Sequence, residues 1–182
     1  MPHYVALLRG INVGGHRVKM DRLRALFEAL DFDDVSTFIA SGNVVFTTAA
    51  SDDAELAGSI ETHLESELGY AVPTFLRTRE RLREISELGW PDAVGQGDSD
   101  PSHYVVFLRD TAEPELRSAL DSLASETDTF RYEGSEVHWL TSGKVSESPL
   151  FGGALEKVMR GVPNTMRNMT SVRKMAAKYG PS

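Results

Sequence analysis

A glycine-rich loop near the N terminus has the residue types of an anion-binding site. It runs from Arg9 to Gly15, and His16, Arg17 and Lys19 follow it. Glycines let backbone N–H groups approach a ligand closely, and neighbouring cations favour a negative charge there. The spacing matches neither the P-loop nor the dinucleotide fingerprint, so it predicts no nucleotide site. A long strand-to-helix turn, whose glycines serve geometry alone, explains the loop equally well.

A second polar cluster, Ser41, Gly42 and Asn43, falls in a predicted hairpin turn. In a β-α-β-β order the first two strands run parallel, with the third antiparallel between them. The end of the first strand and the hairpin after the second then lie at the same edge of the sheet. We therefore expect Arg9 and Asn12 to converge with the hairpin. A plain turn, which Gly42 and Asn43 also suit, is the alternative.

A third cluster lies near the C terminus, where Arg167 and Asn168 precede the last predicted helix and Lys174 follows in it. Asn168 or Thr170 is expected to cap that helix. Arg167 would lie at the positive end of the helix dipole, which favours an anion rather than a cation. An anionic ligand would explain this placement, as a second part of the first site or a separate one. Because Arg77 holds the matching place in the first half, a structural salt bridge common to both halves explains it too.

The elements that must position these clusters come from an internal repeat. Residues 3–9, HYVALLR, return as residues 103–109, HYVVFLR, and residues 72–77 return in altered form as 162–167. Each half has the pattern β-α-β-β-α-β followed by an extra helix, which is the order of a ferredoxin-like unit. The sequence thus predicts an α+β fold formed by tandem duplication. The predicted domains are a first half at 1–88, a linker at 89–102 and a second half at 103–182.

Local signals set the predicted ends of several elements. Ser51 is the expected N-cap of the second helix, and Gly69 its end. Thr111 is the expected cap of the first helix of the second half. A helix is predicted near 151–160, and the fourth strand of the first half at 72–76.

The composition limits the classes of function. The 182 residues include no cysteine, which excludes disulfides and a cysteine nucleophile. The net charge of −8 argues against broad nucleic-acid binding. The five histidines lack ligand spacing, so we predict no metal site, and we predict no cofactor. With no apolar run long enough to cross a bilayer, a cytoplasmic protein without a membrane partner is expected. Neither an enzymatic activity nor the oligomeric state follows from the sequence.

The three clusters together resemble a widespread bacterial family of domains of unknown function. The likeness rests on RGINVGG at 9–15, SGNVVF at 41–46, and Thr165 to Asn168 with Thr170 and Lys174. The resemblance implies a single-chain α+β protein of this length and implies no activity. His16 stands here at the position after the double glycine, where a basic residue is frequent.

From these residues we predict a small anionic ligand, with a phosphorylated one as an example. Arg9 would pair with the anion, Gly14 and Gly15 would offer backbone N–H groups, and Asn12, Ser41 and Asn43 would orient the ligand. The alternative is a protein-interaction or regulatory module without catalysis, whose motifs form an interface.

Overall fold

The computed structural model describes residues 1–89 and 101–180, so most of the predicted linker at 89–102 lies outside the described residues. The chain divides into two compact units. The first unit comprises Met1–Ser86 and the C-terminal segment from Arg173, and the second comprises Glu87–Val172. The sequence boundaries assigned that C-terminal segment to the second half, whereas its contacts group it with the first unit.

The first unit holds a four-stranded antiparallel sheet and its helices. In chain order the elements are β1 His3–Leu8, α1 Met20–Glu28, β2 Asp33–Phe38, β3 Asn43–Thr47, α2 Asp53–Leu68, β4 Thr74–Thr78 and α3 Arg79–Glu87. The strand order is β2-β3-β1-β4, and β3 is antiparallel to both β1 and β2. The predicted parallel arrangement of the first two strands, with the third between them, is therefore present.

Helices α1 and α2 pack on one face of this sheet. Alternate residues of β1, among them Ala6 and Leu8, are buried with Leu23, Phe27 and Ile60 of the two helices. Apolar positions three and four residues apart on α1 give this helix its buried face. The core therefore follows from the spacing that the sequence displays.

Two helix ends and one strand of the first unit test the local signals. Gly69 ends α2 with φ 80°, in the left-handed conformation that was expected. The prediction of Ser51 as the N-cap was wrong, because Asp52 accepts the Glu55 N–H at 2.9 Å in that role. Strand β4 begins at Thr74 rather than Val72, since Pro73 cannot donate a hydrogen bond to a neighbouring strand.

The second unit repeats the element order. Its elements are β5 Ser102–Leu108, α4 Pro114–Asp121, β6 Asp128–Glu133, β7 Glu136–Thr141, α5 Leu155–Met159, β8 Asn164–Asn168 and α6 Met169–Tyr179, the last of which continues into the first unit. The strand order β6-β7-β5-β8 corresponds strand for strand to that of the first unit. Two four-stranded antiparallel sheets with matching helices agree with a duplicated α+β fold.

The helical layer of the second unit is smaller. The predicted helix at 151–160 is confined to Leu155–Met159, because a π-type turn at Leu150–Ala154 is kinked at Gly152, where φ is 72°. The proposed Thr111 cap was also wrong, since α4 has Glu113 as its N-cap and Pro114 in its first turn. Proline at a first helical position fixes the start there.

Candidate functional site

Asn12 fastens the glycine-rich loop to its surroundings. Its side-chain amide donates to the Val18 carbonyl at 3.1 Å and to the Ala40 carbonyl at 3.0 Å. Its Oδ1 accepts the Val18 N–H at 2.8 Å. The residue has φ 55°, a left-handed conformation that asparagine tolerates better than most residues. Asn12 thus closes the loop on itself and ties it to the hairpin that follows β2.

Gly42 forms the second junction between the loop and the hairpin. The Leu8 N–H donates to the Gly42 carbonyl at 2.8 Å. A Cβ at Gly42 would lie 2.9 Å from the Ile11 Cβ, and its φ is 78°. Only glycine provides both this conformation and this closeness. The predicted meeting of the loop and the hairpin is therefore present in the structure.

The other hairpin residues divide into a buried and an exposed one. Asn43 is fully buried and donates from its amide to the Phe38 carbonyl at 3.0 Å and to the Ser41 Oγ at 2.9 Å. These bonds span the turn and fix its shape. Ser41 is an exposed residue whose Oγ accepts that bond from Asn43. Asn12 and Asn43 therefore act as positioning groups in this geometry, while Ser41 lies at the surface.

Basic side chains lie at both ends of the glycine-rich loop. Arg9, His16, Arg17 and Lys19 are all exposed, and an Arg17 Nη1 lies 3.4 Å from the Asn12 carbonyl oxygen. Lys19 is the N-cap of α1 and its side chain makes no capping hydrogen bond. A cation at this end is not stabilised by the helix dipole, whereas an anion would be. The start of α1 therefore adds to the positive potential of the loop.

Two exposed aliphatic residues border the same surface. Val13 is 56% exposed at the tip of the loop, and Ile39 is 51% exposed in the hairpin. Ile39 has φ 49°, a conformation that is strained for a β-branched residue. Strained residues persist where the surrounding structure holds them, and they concentrate at functional sites.

The end of α6 reaches the base of the hairpin within the first unit. The Tyr179 ring meets the Phe38 ring edge to face, with centroids 6.2 Å apart. The Lys178 Nζ lies 6.0 Å from the Phe38 ring centroid, and the Arg79 guanidinium donates to the Tyr179 carbonyl. Val172, Met175 and Ala176 are apolar residues at helical spacing, but no local pattern indicates that the end of this helix packs on the first unit. Lys178 is thus a cation near the hairpin that the sequence analysis missed.

The third cluster is split by the fold. Asn168 caps α6 by accepting the Ser171 N–H at 2.7 Å, so Asn168 rather than Thr170 holds that role. Arg167 is 8% exposed, and its Nη1 donates to the Thr165 hydroxyl at 2.8 Å. Burial lowers the pKa of Arg167 to about 10. Lys174 is exposed and falls in the first unit, whereas Arg167 and Asn168 fall in the second.

The loop and the hairpin both lie in the region that identifies the family. A family model described as "Protein of unknown function (DUF1697)" matches residues 1–138. The chain belongs to this family. The matched region contains the first two clusters and ends before the third.

A solved structure shares the whole architecture. The chain is similar to a conserved bacterial protein from Streptococcus pneumoniae, with 25% sequence identity and a TM-score of 0.79. The similarity covers 98% of each chain. A search of curated proteins found no match.

Two further observations concern the described residues only. Within residues 1–89 and 101–180, no group of three or more histidine, aspartate or glutamate side chains is placed to hold a metal ion. None of the helices in this part of the chain has the length and apolarity needed to cross a membrane.

Proposed function

We propose that the protein binds a small anionic ligand, of which a phosphorylated metabolite is the leading example, at the glycine-rich loop and hairpin of the first unit. The observation that carries the proposal is the charge of a loop whose conformation is held by specific contacts. Residues 9–19 contain three arginines or lysines and no aspartate or glutamate, in a chain of net charge −8. Asn12 and Gly42 hold this positive segment against the hairpin.

The duplicated unit gives an internal comparison. The segment between β1 and α1 has its counterpart at residues 109–113, between β5 and α4. The counterpart has no glycine and carries two carboxylates beside Arg109. The β-strand before it ends on the same kind of contact, because the Leu108 N–H donates to the Ser135 carbonyl at 2.8 Å. The fold of the unit therefore does not require a glycine-rich basic loop, which favours a functional reason for the one in the first unit.

Each side chain has a distinct part in this proposal. Arg9 at the end of β1 pairs with the anion, and the exposed Gly14 and Gly15 supply backbone N–H groups. Ser41 offers a hydroxyl from the hairpin. Asn12 and Asn43 shape the two loops, because their amides already bond backbone and Ser41 groups. Arg167 and Asn168 are kept as a proposed separate anion-binding element of the second unit, and Lys174 as a proposed cation of the first.

The test compares two matched arginines. Melting temperatures of the wild type, Arg9→Ala and Arg109→Ala would be measured with inorganic phosphate, pyrophosphate and a panel of phosphorylated metabolites at low ionic strength. Sodium chloride at equal ionic strength serves as the solvent control. A ligand at one hundred times its Kd stabilises the folded state by about 2.7 kcal/mol.

We expect stabilisation of the wild type and of Arg109→Ala, and its loss in Arg9→Ala. Equal stabilisation of all three proteins would refute the assignment of the site. A wild-type response to sodium chloride as large as that to the phosphates would refute a specific anion site.

A second candidate function is favoured by the apolar rim. Val13 and Ile39 are two of the four large hydrophobic residues that the described chain exposes, and both lie beside the proposed site. A protein partner would cover them. Co-purification of one defined partner, lost in a Val13→Ser and Ile39→Ser double variant, together with no response to any phosphate, would favour this interaction module.

We also propose a fold type, domain limits and a cellular setting for the protein. Each unit is proposed to be ferredoxin-like, supported by the β-α-β-β-α-β order and the strand order β2-β3-β1-β4 with its counterpart. The proposed domains are a first half at 1–88, a linker at 89–102 and a second half at 103–182, of which the segment from Arg173 groups by its contacts with the first unit. A bacterial, cytoplasmic setting is proposed from the family resemblance and the lack of cysteine.

A further inference from the structure

A cavity of about 480 Å³ opens in the second unit, between the end of β5 and helices α4 and α5. Leu108, Leu116, Ala119, Val158 and Val162 form its apolar walls. This volume falls within the range of small-molecule pockets, which is roughly 300 to 1,000 Å³. All its lining residues belong to the second unit, so none of them is part of the loop and hairpin of the first.

The segment that links the equivalent strand and helix differs between the two units. The segment between β1 and α1 is eleven residues long, 9–19, and folds Ile11 and Val18 into the core at 2% and 6% exposure. The segment between β5 and α4 is only five residues long, 109–113, and contains no large apolar residue. The second unit therefore has no large apolar side chain from this segment in its core, where the first unit has two.

The helix facing the cavity shows the same difference. Leu116, Ala119, Leu120 and Leu123 have the spacing of Leu23, Leu26, Phe27 and Leu30, which places Ala119 where the first unit has a leucine. Leu23 and Leu26 are buried, whereas Leu116 and Ala119 are only partly buried. Likewise Val72 is 1% exposed and its repeat partner Val162 is partly exposed. The walls of the cavity are core positions that remain uncovered.

The rim of the cavity is acidic. Asp110, Glu113 and Glu115 line it, against a single basic residue, Arg109. All four are exposed, and Glu113, the N-cap of α4, makes no side-chain capping bond. The N-terminal end of α4 carries an effective positive charge of roughly half a unit, which disfavours a cation. The excess negative charge of the carboxylates on the rim is larger.

From the uncovered walls and the acidic rim we infer that the second unit binds a small molecule with an apolar body and a positively charged end. The apolar body lies against Leu116, Ala119 and Val158. The cationic group, such as a primary ammonium, faces Glu113, Glu115 and Asp110. This site is independent of the anion site of the first unit and takes a ligand of opposite charge.

Three probes of equal chain length test the inference on the full chain. Hexylammonium, 1-hexanol and hexanoate would be titrated while methyl and amide NMR shifts are followed. We expect hexylammonium to move the resonances of Leu116, Val158 and Val162 and to bind on the order of fivefold more tightly than hexanol, a factor typical of exposed ion pairs. Hexanoate should bind more weakly than hexanol.

Variants separate the cavity from the charge. Ala119→Leu introduces the side chain found at this position of the first unit and should weaken the binding of both hexylammonium and hexanol, because the larger side chain occupies part of the cavity. A double Glu113→Gln and Glu115→Gln variant should bind hexanol as before and bind hexylammonium no better than hexanol. Glu126→Gln, an exposed carboxylate outside the cavity, is the matched control and should change neither affinity.

Two results would overturn the inference. One is hexylammonium binding that is unaffected in Ala119→Leu, or in Ala119→Val if the leucine variant does not fold. The other is hexanoate that binds as tightly as hexylammonium, which would remove the acidic rim from the argument.

Discussion

The conformation of the glycine-rich loop should depend on one side chain, Asn12. Replacement by glycine removes three hydrogen bonds, two to Val18 and one to Ala40, but keeps the left-handed backbone available. At about 1 kcal/mol net for each bond, the loss is roughly 3 kcal/mol. Alanine loses the same bonds and adds about 1 kcal/mol or more of strain at φ 55°. Asn12→Ala should thus be less stable than Asn12→Gly.

Amide hydrogen exchange measures this effect where it occurs. The Val18 N–H donates to the Asn12 side chain, so its protection should fall about a hundredfold in Asn12→Gly, the equivalent of roughly 3 kcal/mol. Amides of β5 and β7 in the second unit serve as the internal control and should keep their protection. Unchanged protection of Val18 in both variants would refute the view that Asn12 holds the loop.

Three further substitutions test other parts of the structure. Gly42→Ala places a methyl group 2.9 Å from the Ile11 Cβ, at a φ of 78°. It should lower the free energy of unfolding in urea by about 2 to 4 kcal/mol. A decrease under about 0.5 kcal/mol would contradict the close packing. Ile39→Gly relieves a strained exposed residue and should stabilise the chain by about 1 kcal/mol in the same assay. A loss of stability in this variant would show that the conformation of Ile39 is not strained. Burial alone would raise the pKa of Asp128, but hydrogen bonds from Ser148, Thr127 and Trp139 outweigh it and hold that pKa below its usual value. The stability from this carboxylate is therefore present above its unfolded pKa, near 4, and is lost as the pH falls through its lower folded pKa, so Asp128→Asn should reduce the dependence of urea unfolding on pH below about 4; an identical acid profile in the variant would contradict this.

Much of the fold could be predicted because its signals are local or repeated. The HYVALLR and HYVVFLR repeats gave two equivalent central strands, and apolar spacing gave the buried face of α1. The errors arose where neighbouring residues compete for one role, as Ser51 and Asp52 do at the start of α2. At Leu150–Ala154, Gly152 and Gly153 let the backbone leave the helical path although apolar residues continue the pattern.

The candidate site was predictable in position and less so in the role of its residues. The strand order alone placed the end of β1 beside the hairpin, where Asn12 meets Ala40. The sequence does not show which polar side chains form hydrogen bonds with backbone groups. An asparagine that faces solvent and one that bonds to the backbone are the same letter in the sequence. The approach of Tyr179 to Thr37 joins residues 142 positions apart, and no local pattern encodes it.

The duplication explains why both proposed sites lie at the same place in their units. In each unit a segment links the central strand to the first helix. Its length decides which nearby side chains stay exposed to solvent. The long segment of the first unit buries Ile11 and Val18 in the core and exposes its glycines and basic side chains. The short segment of the second unit contributes no large apolar side chain to the core. Apolar residues of β5, α4 and α5 line a cavity there, and its rim is acidic. Because the two segments differ in both length and charge, the two proposed sites would take ligands of opposite charge.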